Sequence, residues 1–320
     1  MPAAQPTISV IIPHLNQPEQ LEACLTSLDN QRLDRRLFQI IVVDNGSTSP
    51  LEPILRRHPN VLILHEPTAG PGPARNRGAR SASGHIFCFI DADCRAHPDW
   101  LHAILVAFPQ LPEKSILGGD VQIWREPDSA DVTAIEAYEC VFAYRQKMYV
   151  EQHGFSGTGN LAVRRTDFEY IGPFSGISVA EDREWGRRAL AAGYKFHYVP
   201  EMIVFHPARR LLGELFLKWD RHIQHDLNEA RNKPWWKTRW LARAFAVLAS
   251  PFFDCVTVLN SNRLSKLSAR LKAIAVLFCI RAYRASKMIV LLGSKAEVRW
   301  NRQSRGGPDN ARRRTTRGTT

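Results

Sequence analysis

The first 110 residues alternate short apolar runs with amphipathic segments, and this alternation constrains the fold more than any other feature. The apolar runs predict strands at residues 7–13, 38–44, 61–65 and 85–91, and the segments between them predict helices at 18–30, 51–57 and 73–83. Repeated strand–helix units indicate an α/β fold in which helices cover a parallel sheet. Its ligand sites are expected where the strands end.

Beyond residue 110 the pattern is less regular. It predicts a strand at 115–124, a long helix at 130–150, a Gly- and Asn-rich segment at 155–163, an ordered loop at 173–179, a helix at 181–192, and short strands at 195–200 and 202–206.

Two carboxylates, Asp91 and Asp93, follow the buried run at 86–90 at a spacing of two. Because alternate side chains of an extended segment point the same way, both can face one ligand. Such a pair is suited to a divalent cation that carries a phosphate. The alternative is a solvated turn in which an Asp caps the next helix.

Three other polar segments fall at strand ends or in loops. Asp44-Asn45-Gly46-Ser47 is either a turn or a nucleoside contact, and Gly157-Thr158-Gly159-Asn160 allows close backbone approach to a ligand. Glu181-Asp182 opens a helix, where acidic residues either complement the helix dipole or supply a general base.

Six motifs within residues 7–206 together resemble a family 2 glycosyltransferase. They occur in the order SVIIPHLN, IIVVDNGS, ARNRGA, FIDAD, GTGNLAVRR and ED. The resemblance implies the A-type glycosyltransferase fold, Rossmann-like with a mostly parallel central sheet and flanking helices. It also implies a hexosyltransferase type of enzyme that uses a nucleotide-sugar donor and Mg²⁺ or Mn²⁺.

The resemblance carries roles to individual positions. The donor site would include Pro13, His14, Asn16, Asp44, Arg75 and Asp91, with Asp44 reaching the base and Asp91 near the ribose. Asp93 would bind the metal, and Asp182 would deprotonate the acceptor hydroxyl beside Glu181. One base without a second catalytic carboxylate fits a single displacement with inversion.

Three further residues are weaker candidates. His206, after the 202–206 strand, is either a third metal ligand or a structural histidine. Trp219 and Arg221 lie in a segment that loosely resembles an acceptor-side motif of processive relatives, but the residue order differs and argues against a processive synthase.

The net charge of +12 arises wholly after residue 205, where 24 Lys and Arg face 7 Asp and Glu. This asymmetry indicates a polyanionic partner. Residues 264–292 predict an amphipathic helix with basic and apolar residues on opposite sides, either packed on the catalytic domain or lying on an anionic membrane. Tryptophans at 235, 236 and 240 resemble an interfacial anchor, and no recognisable nucleic-acid motif is present.

The expected organisation is therefore a nucleotide-sugar-binding catalytic domain at 1–206, a basic amphipathic helical region at 207–300 and a disordered basic tail at 301–320. No apolar stretch after residue 206 reaches the roughly 18–20 residues of a membrane-spanning helix. Irregularly spaced cysteines and a start without a basic leader favour a cytoplasmic protein, peripheral on the inner face of the membrane.

The expected activity is transfer of one sugar to a hydroxyl-bearing saccharide or lipid-linked acceptor, in cell-surface polysaccharide or glycolipid synthesis. A nucleotidyltransferase acting on sugar phosphates and a non-catalytic membrane-associated adaptor are the alternatives.

Overall fold

The computed structural model describes residues 6–125, 131–177 and 179–293. The predicted tail at 301–320 lies outside these residues. The described residues divide into two compact units: the first comprises those up to residue 212 together with 254–277, and the second comprises 213–253 together with those from residue 278 onward. Residues 254–277 group with the first unit although they follow the second unit's 213–253 in the chain. The domain boundary expected after residue 206 stays a prediction.

One mixed sheet organises the first unit. Its strands are β1 (Ile8–His14), β2 (Phe38–Asp44), β3 (Val61–His65), β4 (Ile86–Ile90), β5 (Arg95–Ala96), β6 (Ser115–Trp124), β7 (Asn160–Arg164) and β8 (Lys195–Pro207), in the spatial order β3-β2-β1-β4-β7-β6-β8-β5. The first four strands are parallel neighbours, as the strand–helix alternation predicted. β7 runs antiparallel to both β4 and β6.

Twelve α-helices occur in the described ranges: α1 (Pro18–Asp29), α2 (Glu52–Arg57), α3 (Pro71–Ser81), α4 (Trp100–Ala107), α5 (Ala134–Phe142), α6 (Gln146–His153), α7 (Arg165–Ile171), α8 (Glu181–Ala191), α9 (Leu212–Arg231), α10 (Trp236–Ala249), α11 (Pro251–Leu259) and α12 (Leu267–Leu292). Short 3₁₀ turns occupy Arg35–Leu37 and Phe108–Gln110.

The sheet separates two apolar layers, as the alternation of side chains along β1 requires. Ile8, Val10 and Ile12 join the layer that contains α1 and α4, whereas Ile11 joins the layer of α3, α7 and α8. The second layer is rich in aromatic rings, and Trp185 at its centre is 1% exposed. Each fully buried large apolar side chain contributes roughly 1.5–3 kcal/mol, so this core fixes the strand ends in place.

Two local predictions are wrong, and one strand was not predicted. The helix expected at 130–150 is two helices, because Tyr144 adopts a left-handed backbone (φ 48°) that an α-helix cannot continue through. The Gly- and Asn-rich segment at 155–163, to which the sequence assigned no strand, contains the start of β7. The two strands expected at 195–206 are one strand, β8, whose pairing with β6 shifts register between Gly119 and Asp120.

The second unit is helical and has a core of its own, formed by Ile223, Leu227, Trp240, Ala244, Val247, Ala285, Met288 and Leu291. Its α12 segment differs from the predicted helix with a solvated basic face. Arg284 is 8% exposed and stacks on Trp219, and Lys287 pairs with Asp220 at 3.2 Å. The exposed side of this segment is apolar instead.

Among the described helices, none alone combines the length and the apolar composition of a membrane span. The consecutive helices α10 and α11 meet that criterion only as a pair, bent by 44°.

Candidate active site

The ends of β1 and β2 bring His14 and Asp44 side by side in register. His14 is 1% exposed, and its Nδ1 lies 3.5 Å from an Asp44 carboxylate oxygen. Its Nε2 accepts a hydrogen bond from the backbone N–H of Gln17 at 3.2 Å. Burial lowers the pKa of His14 although Asp44 opposes the shift, so the imidazole is neutral and its Nδ1 proton faces Asp44.

Asp44 remains ionised at this strand end. Burial alone would raise its pKa, but hydrogen bonds from Ser47 and His14 bring the pKa below the usual value. His65, at the end of β3, is also within 3.3 Å of its second oxygen. An ionised acceptor at the carboxyl edge of parallel strands can receive donors from a ligand.

The loops after β1 and β2 are tied together through Asn16. Its side-chain oxygen accepts from the backbone N–H of Thr48 at 2.8 Å, and its own N–H donates to the Ser47 hydroxyl at 2.9 Å. Asn16 has a left-handed backbone (φ 53°), a conformation that Asn tolerates better than most residues. Pro13, Asn16 and Asp44 thus belong to one edge, as the predicted donor site requires.

Asn45 was not among the predicted site residues, yet it holds the next loop. Its amide donates to the carbonyl oxygens of Glu66 and Thr68 at 2.8 Å each and accepts from the N–H of Gly70 at 2.7 Å. The only sequence signal was an Asn-Gly pair, which indicates a turn equally well. Asn45 thereby positions the start of α3.

Arg75, on α3, is a buried bridge between two carboxylates. Its guanidinium donates to Asp91 at 2.6 Å and to Glu181 at 2.9 Å, and the residue is 3% exposed. The sequence placed Arg75 on the nucleotide and Glu181 on the acceptor side, and the structure joins them across 106 positions of the chain.

Gly159 lets the loop before β7 approach Asp91. A Cβ at this position would lie 2.8 Å from the second carboxylate oxygen of Asp91. Burial raises the pKa of Asp91, and Arg75 opposes that shift. The Gly-rich motif therefore closes one side of the Asp91 carboxylate.

Asp93 and His206 form a second pair, with His206 Nε2 3.1 Å from an Asp93 oxygen. His206 Nδ1 lies 2.6 Å from the carbonyl oxygen of Pro207, an acceptor only, so Nδ1 carries the proton. His206 Nε2 faces the Asp93 carboxylate, so the pair can share a proton or present an imidazole nitrogen and a carboxylate oxygen to one metal ion. Burial acts to raise the pKa of Asp93, but the hydrogen bond and the charge of His206 bring this pKa below its usual value.

The donor chemistry of this pair fits the implied metal. Carboxylate oxygen and imidazole nitrogen both suit Mn²⁺, and carboxylate oxygen suits Mg²⁺. Within the part of the chain that is described, no group of three or more His, Cys, Asp or Glu side chains forms a metal site. The remaining ligands would come from substrate phosphates and water, as is usual for Mg²⁺.

Three residues around His206 were missed by the sequence analysis. The Tyr144 ring lies 4.6 Å from the His206 ring, centroid to centroid. The guanidinium of Arg209 forms an ion pair with Glu139, which is 1% exposed. The backbone N–H of Arg209 also donates to the Glu139 carboxylate, at 2.8 Å. Nothing local in the sequence marks Glu139, because its partner lies 70 positions away.

Asp182 opens α8 and differs from the other carboxylates. Burial, followed by the charge of Glu181, raises the pKa of Asp182 to about 6. A hydrogen bond donated by the backbone N–H of Arg183 to Asp182, at 2.7 Å, only partly offsets these effects. A carboxylate whose pKa approaches neutrality has the properties of a general base.

The predicted acceptor-side residues Trp219 and Arg221 belong to α9 in the second unit. Arg284 stacks on the Trp219 ring at 3.7 Å, and the buried indole nitrogen of Trp219 finds no hydrogen-bond partner among the residues that the structure describes. Arg221 is exposed. Their acceptor role stays a prediction.

Comparisons with known proteins agree with this geometry. The model for the family "Glycosyl transferase family 2" matches residues 9–178. Glycosyltransferase AglE of Haloferax volcanii is 31% identical over 224 residues, which span 68% of this chain and 72% of that protein. Uncharacterized glycosyltransferase YibD of Escherichia coli is 33% identical over 31% of this chain and 29% of its own length.

Among solved structures, mannosyltransferase PcManGT from Pyrobaculum calidifontis, in complex with GDP-Man and Mn²⁺, has a TM-score of 0.57. It is 20% identical, and the match covers 92% of this chain and 89% of that one. This likeness shows the shared A-type fold.

Proposed function

The chain belongs to glycosyl transferase family 2 and is a glycosyltransferase, and from this premise we propose that it transfers one sugar from a nucleoside-diphosphate sugar to an acceptor hydroxyl with inversion at the anomeric carbon. The observation that carries the proposal is the separation of roles among the carboxylates. Asp93 is ionised and paired with His206, whereas Asp182 has a pKa of about 6 and, within the described residues, accepts no hydrogen bond from a basic side chain.

The donor is proposed to lie along the edge formed by β1, β2 and β4. Asp44 accepts hydrogen bonds from the nucleobase, and Asp91, held by Arg75, accepts from the ribose. Asp93 and His206 hold Mg²⁺ or Mn²⁺, which when bound neutralises charge that develops on the diphosphate leaving group. Support comes from PcManGT, whose structure contains GDP-Man and Mn²⁺.

Asp182 is proposed to take the proton of the acceptor hydroxyl. A base with a pKa near 6 is ionised at pH 7 and accepts a proton more readily than an ordinary aspartate does. Glu181 maintains this pKa through its negative charge, and Arg75 limits the effect by binding Glu181. Because Asp182 forms no covalent intermediate in this scheme, the sugar is displaced once.

The other functions weighed from the sequence have less support. A nucleotidyltransferase or a non-catalytic adaptor does not explain why the family model covers both the strand ends and the Gly-rich motif. The first experiment is a panel of nucleoside diphosphates tested by thermal shift with and without Mn²⁺. At least one should stabilise the wild type in a Mn²⁺-dependent way, and the dependence should disappear in Asp93→Asn.

Asp182→Asn should keep this binding and lose sugar transfer. If no nucleoside diphosphate stabilises the chain, the donor site as described is wrong. Transfer that survives both Asp93→Ala and Asp182→Asn would refute the assigned roles.

We further propose that the second unit rests on the anionic inner face of a membrane, where a lipid-linked or polysaccharide acceptor is available. Its surface exposes Trp235 (80%), Phe252 (72%) and Phe253 (77%). Exposed rings in such number mark an interaction surface, and the neighbouring Lys237 and Arg239 complement anionic headgroups.

Vesicle flotation tests the membrane proposal. The wild type should float with vesicles that contain anionic lipid and not with purely zwitterionic ones. Phe252→Ser/Phe253→Ser should lose most of this binding, whereas Tyr170→Ser, which removes an equally exposed ring (72%) from the first unit, should not. Equal loss in both variants would contradict the assignment.

A further inference from the structure

A cavity of about 310 Å³ opens in the first unit beside the break between α5 and α6. Its wall includes Tyr144, Arg145, Gln146 and Lys147 from that break, with Asp120 and Arg263 opposite. The volume lies at the lower end of the range of small-molecule sites, which is about 300–1,000 Å³. None of the residues assigned to the donor or the metal lines it.

The charges in the cavity wall are paired with one exception. Arg263 binds Asp120 at 2.7 Å, and Lys147 lies 3.9 Å from Glu151. Within the described residues, the half-buried guanidinium of Arg145 has no ion pair and no side-chain hydrogen bond. The cavity therefore presents one uncompensated cation, and a guanidinium is suited to bind phosphate or carboxylate through two hydrogen bonds.

Side chains of the same segment contact the reaction centre. Tyr144 packs against the metal candidate His206 at 4.6 Å. The buried Gln146 accepts from the N–H of Gly157 at 3.0 Å and donates to its carbonyl oxygen at 3.3 Å, so it holds the Gly-rich loop that reaches Asp91. Further along α6, burial raises the pKa of Tyr149, and the charge of Asp182 adds to this shift.

The cavity is of small-molecule size, and its wall includes Tyr144, which contacts His206, and Gln146, which contacts the Gly-rich loop. It also carries one cation, Arg145, that is unpaired among the described residues. We propose that the cavity binds the acceptor, and that Arg145 selects an acceptor sugar that carries a phosphate or a carboxylate. This inference rests on the proposed function and names the substrate class of the same site. Gln146 and Gln152 offer amides to the sugar hydroxyls.

The test uses the full chain, with the donor site filled by a nucleoside diphosphate and Mn²⁺. Three probes are compared at equal concentration: glucose 6-phosphate, methyl glucuronide and the neutral methyl glucoside. Modification of Arg145 by phenylglyoxal is followed by mass spectrometry of its peptide. Glucose 6-phosphate, methyl glucuronide or both should slow the modification of Arg145 several-fold, whereas the neutral methyl glucoside should not. Comparing the two anionic probes shows whether the cavity prefers a phosphate or a carboxylate.

The affinity of the preferred anionic probe, measured by NMR titration, should fall about tenfold or more in Arg145→Gln, the loss expected for a charge-assisted hydrogen bond. Arg56→Gln removes the same charge from an exposed position on α2 and serves as the control. Nucleoside diphosphate binding should be unchanged in both variants, which also shows that they are folded.

Equal protection by the neutral probe, absence of protection by either anion, or unchanged affinity in Arg145→Gln would overturn the inference. Each of these outcomes leaves the proposed function intact as long as the nucleoside diphosphate still binds. Failure of the nucleoside diphosphate to bind the wild type is the separate result that refutes the donor site.

Discussion

Replacing Asp182 by Asn should stabilise the protein while it removes activity. In the folded chain, burial and Glu181 raise the pKa of Asp182 from 3.8 to about 6. The folded state therefore binds this proton more tightly than the unfolded chain does. Stability contributed by the protonated form is present below the unfolded pKa and is lost as the pH rises towards the folded pKa.

The size of the effect follows from the shift. A shift of about 2 pKa units corresponds to roughly 3 kcal/mol of destabilisation when Asp182 is fully ionised, as at pH 8. At pH 5, between the two pKa values, the same relation gives about half of that. Asn is uncharged at both pH values, and its side-chain oxygen can still accept a hydrogen bond from the N–H of Arg183. The variant therefore avoids the destabilisation that ionised Asp182 causes at pH 5 and at pH 8.

Thermal unfolding at pH 5 and pH 8 measures this difference. The melting temperature of Asp182→Asn should exceed that of the wild type by roughly 6 °C at pH 8, since each kcal/mol corresponds to about 2 °C for a chain of this size. At pH 5 the gain should be about half as large. Glu113→Gln, which removes a negative charge from an exposed loop, controls for net charge.

Two results would refute the reasoning. A variant that is less stable than the wild type at pH 8 would show that Asp182 is not destabilised by desolvation. A gain that does not change with pH would show that the stabilisation has another cause. In the wild type, kcat/KM should rise with pH through about 6, because only the ionised carboxylate accepts the proton.

Three other substitutions test the packing around the site. Gly159→Ala places a methyl group 2.8 Å from the Asp91 carboxylate and should weaken nucleoside diphosphate binding about tenfold with little loss of fold, measured by titration calorimetry. Arg75→Lys keeps the charge but cannot bind Asp91 and Glu181 in the same way, so thermal unfolding should show a loss of roughly 2 kcal/mol. Gly78→Ala would bring a methyl group within 2.5 Å of a β1 side chain, and the same assay should show a loss of roughly 1–3 kcal/mol.

The positions of the first four strands and their parallel pairing were predictable, because each strand is a local apolar run and each connection is short. The spatial order of the strands was not predicted. The same patterns placed Asp44 and Asp91 at or just after strand ends, where the structure has them. The second half was less predictable. β7 is a short strand within a Gly- and Asn-rich segment, and its antiparallel pairing with β4 and β6 depends on partners far along the chain.

The candidate site shows the same division. Motif order alone predicted chemical roles for His14, Asp93 and Asp182. It could not show that Asp182, within the part of the chain that is described, has no basic hydrogen-bond partner while its neighbour Glu181 is bound by Arg75, because that difference depends on how α3 and α8 pack.

The sequence by itself determined the fold family, the strand ends and the types of side chain found there, since these depend on local periodicity and on motifs read in order. Only the tertiary structure decided which carboxylate is paired, which is desolvated and where a cation is left uncompensated. Those properties arise from contacts between distant segments, such as Glu139 with Arg209 and Tyr144 with His206. Burial and charge pairing are sums over neighbours in space, and a one-dimensional pattern does not contain them.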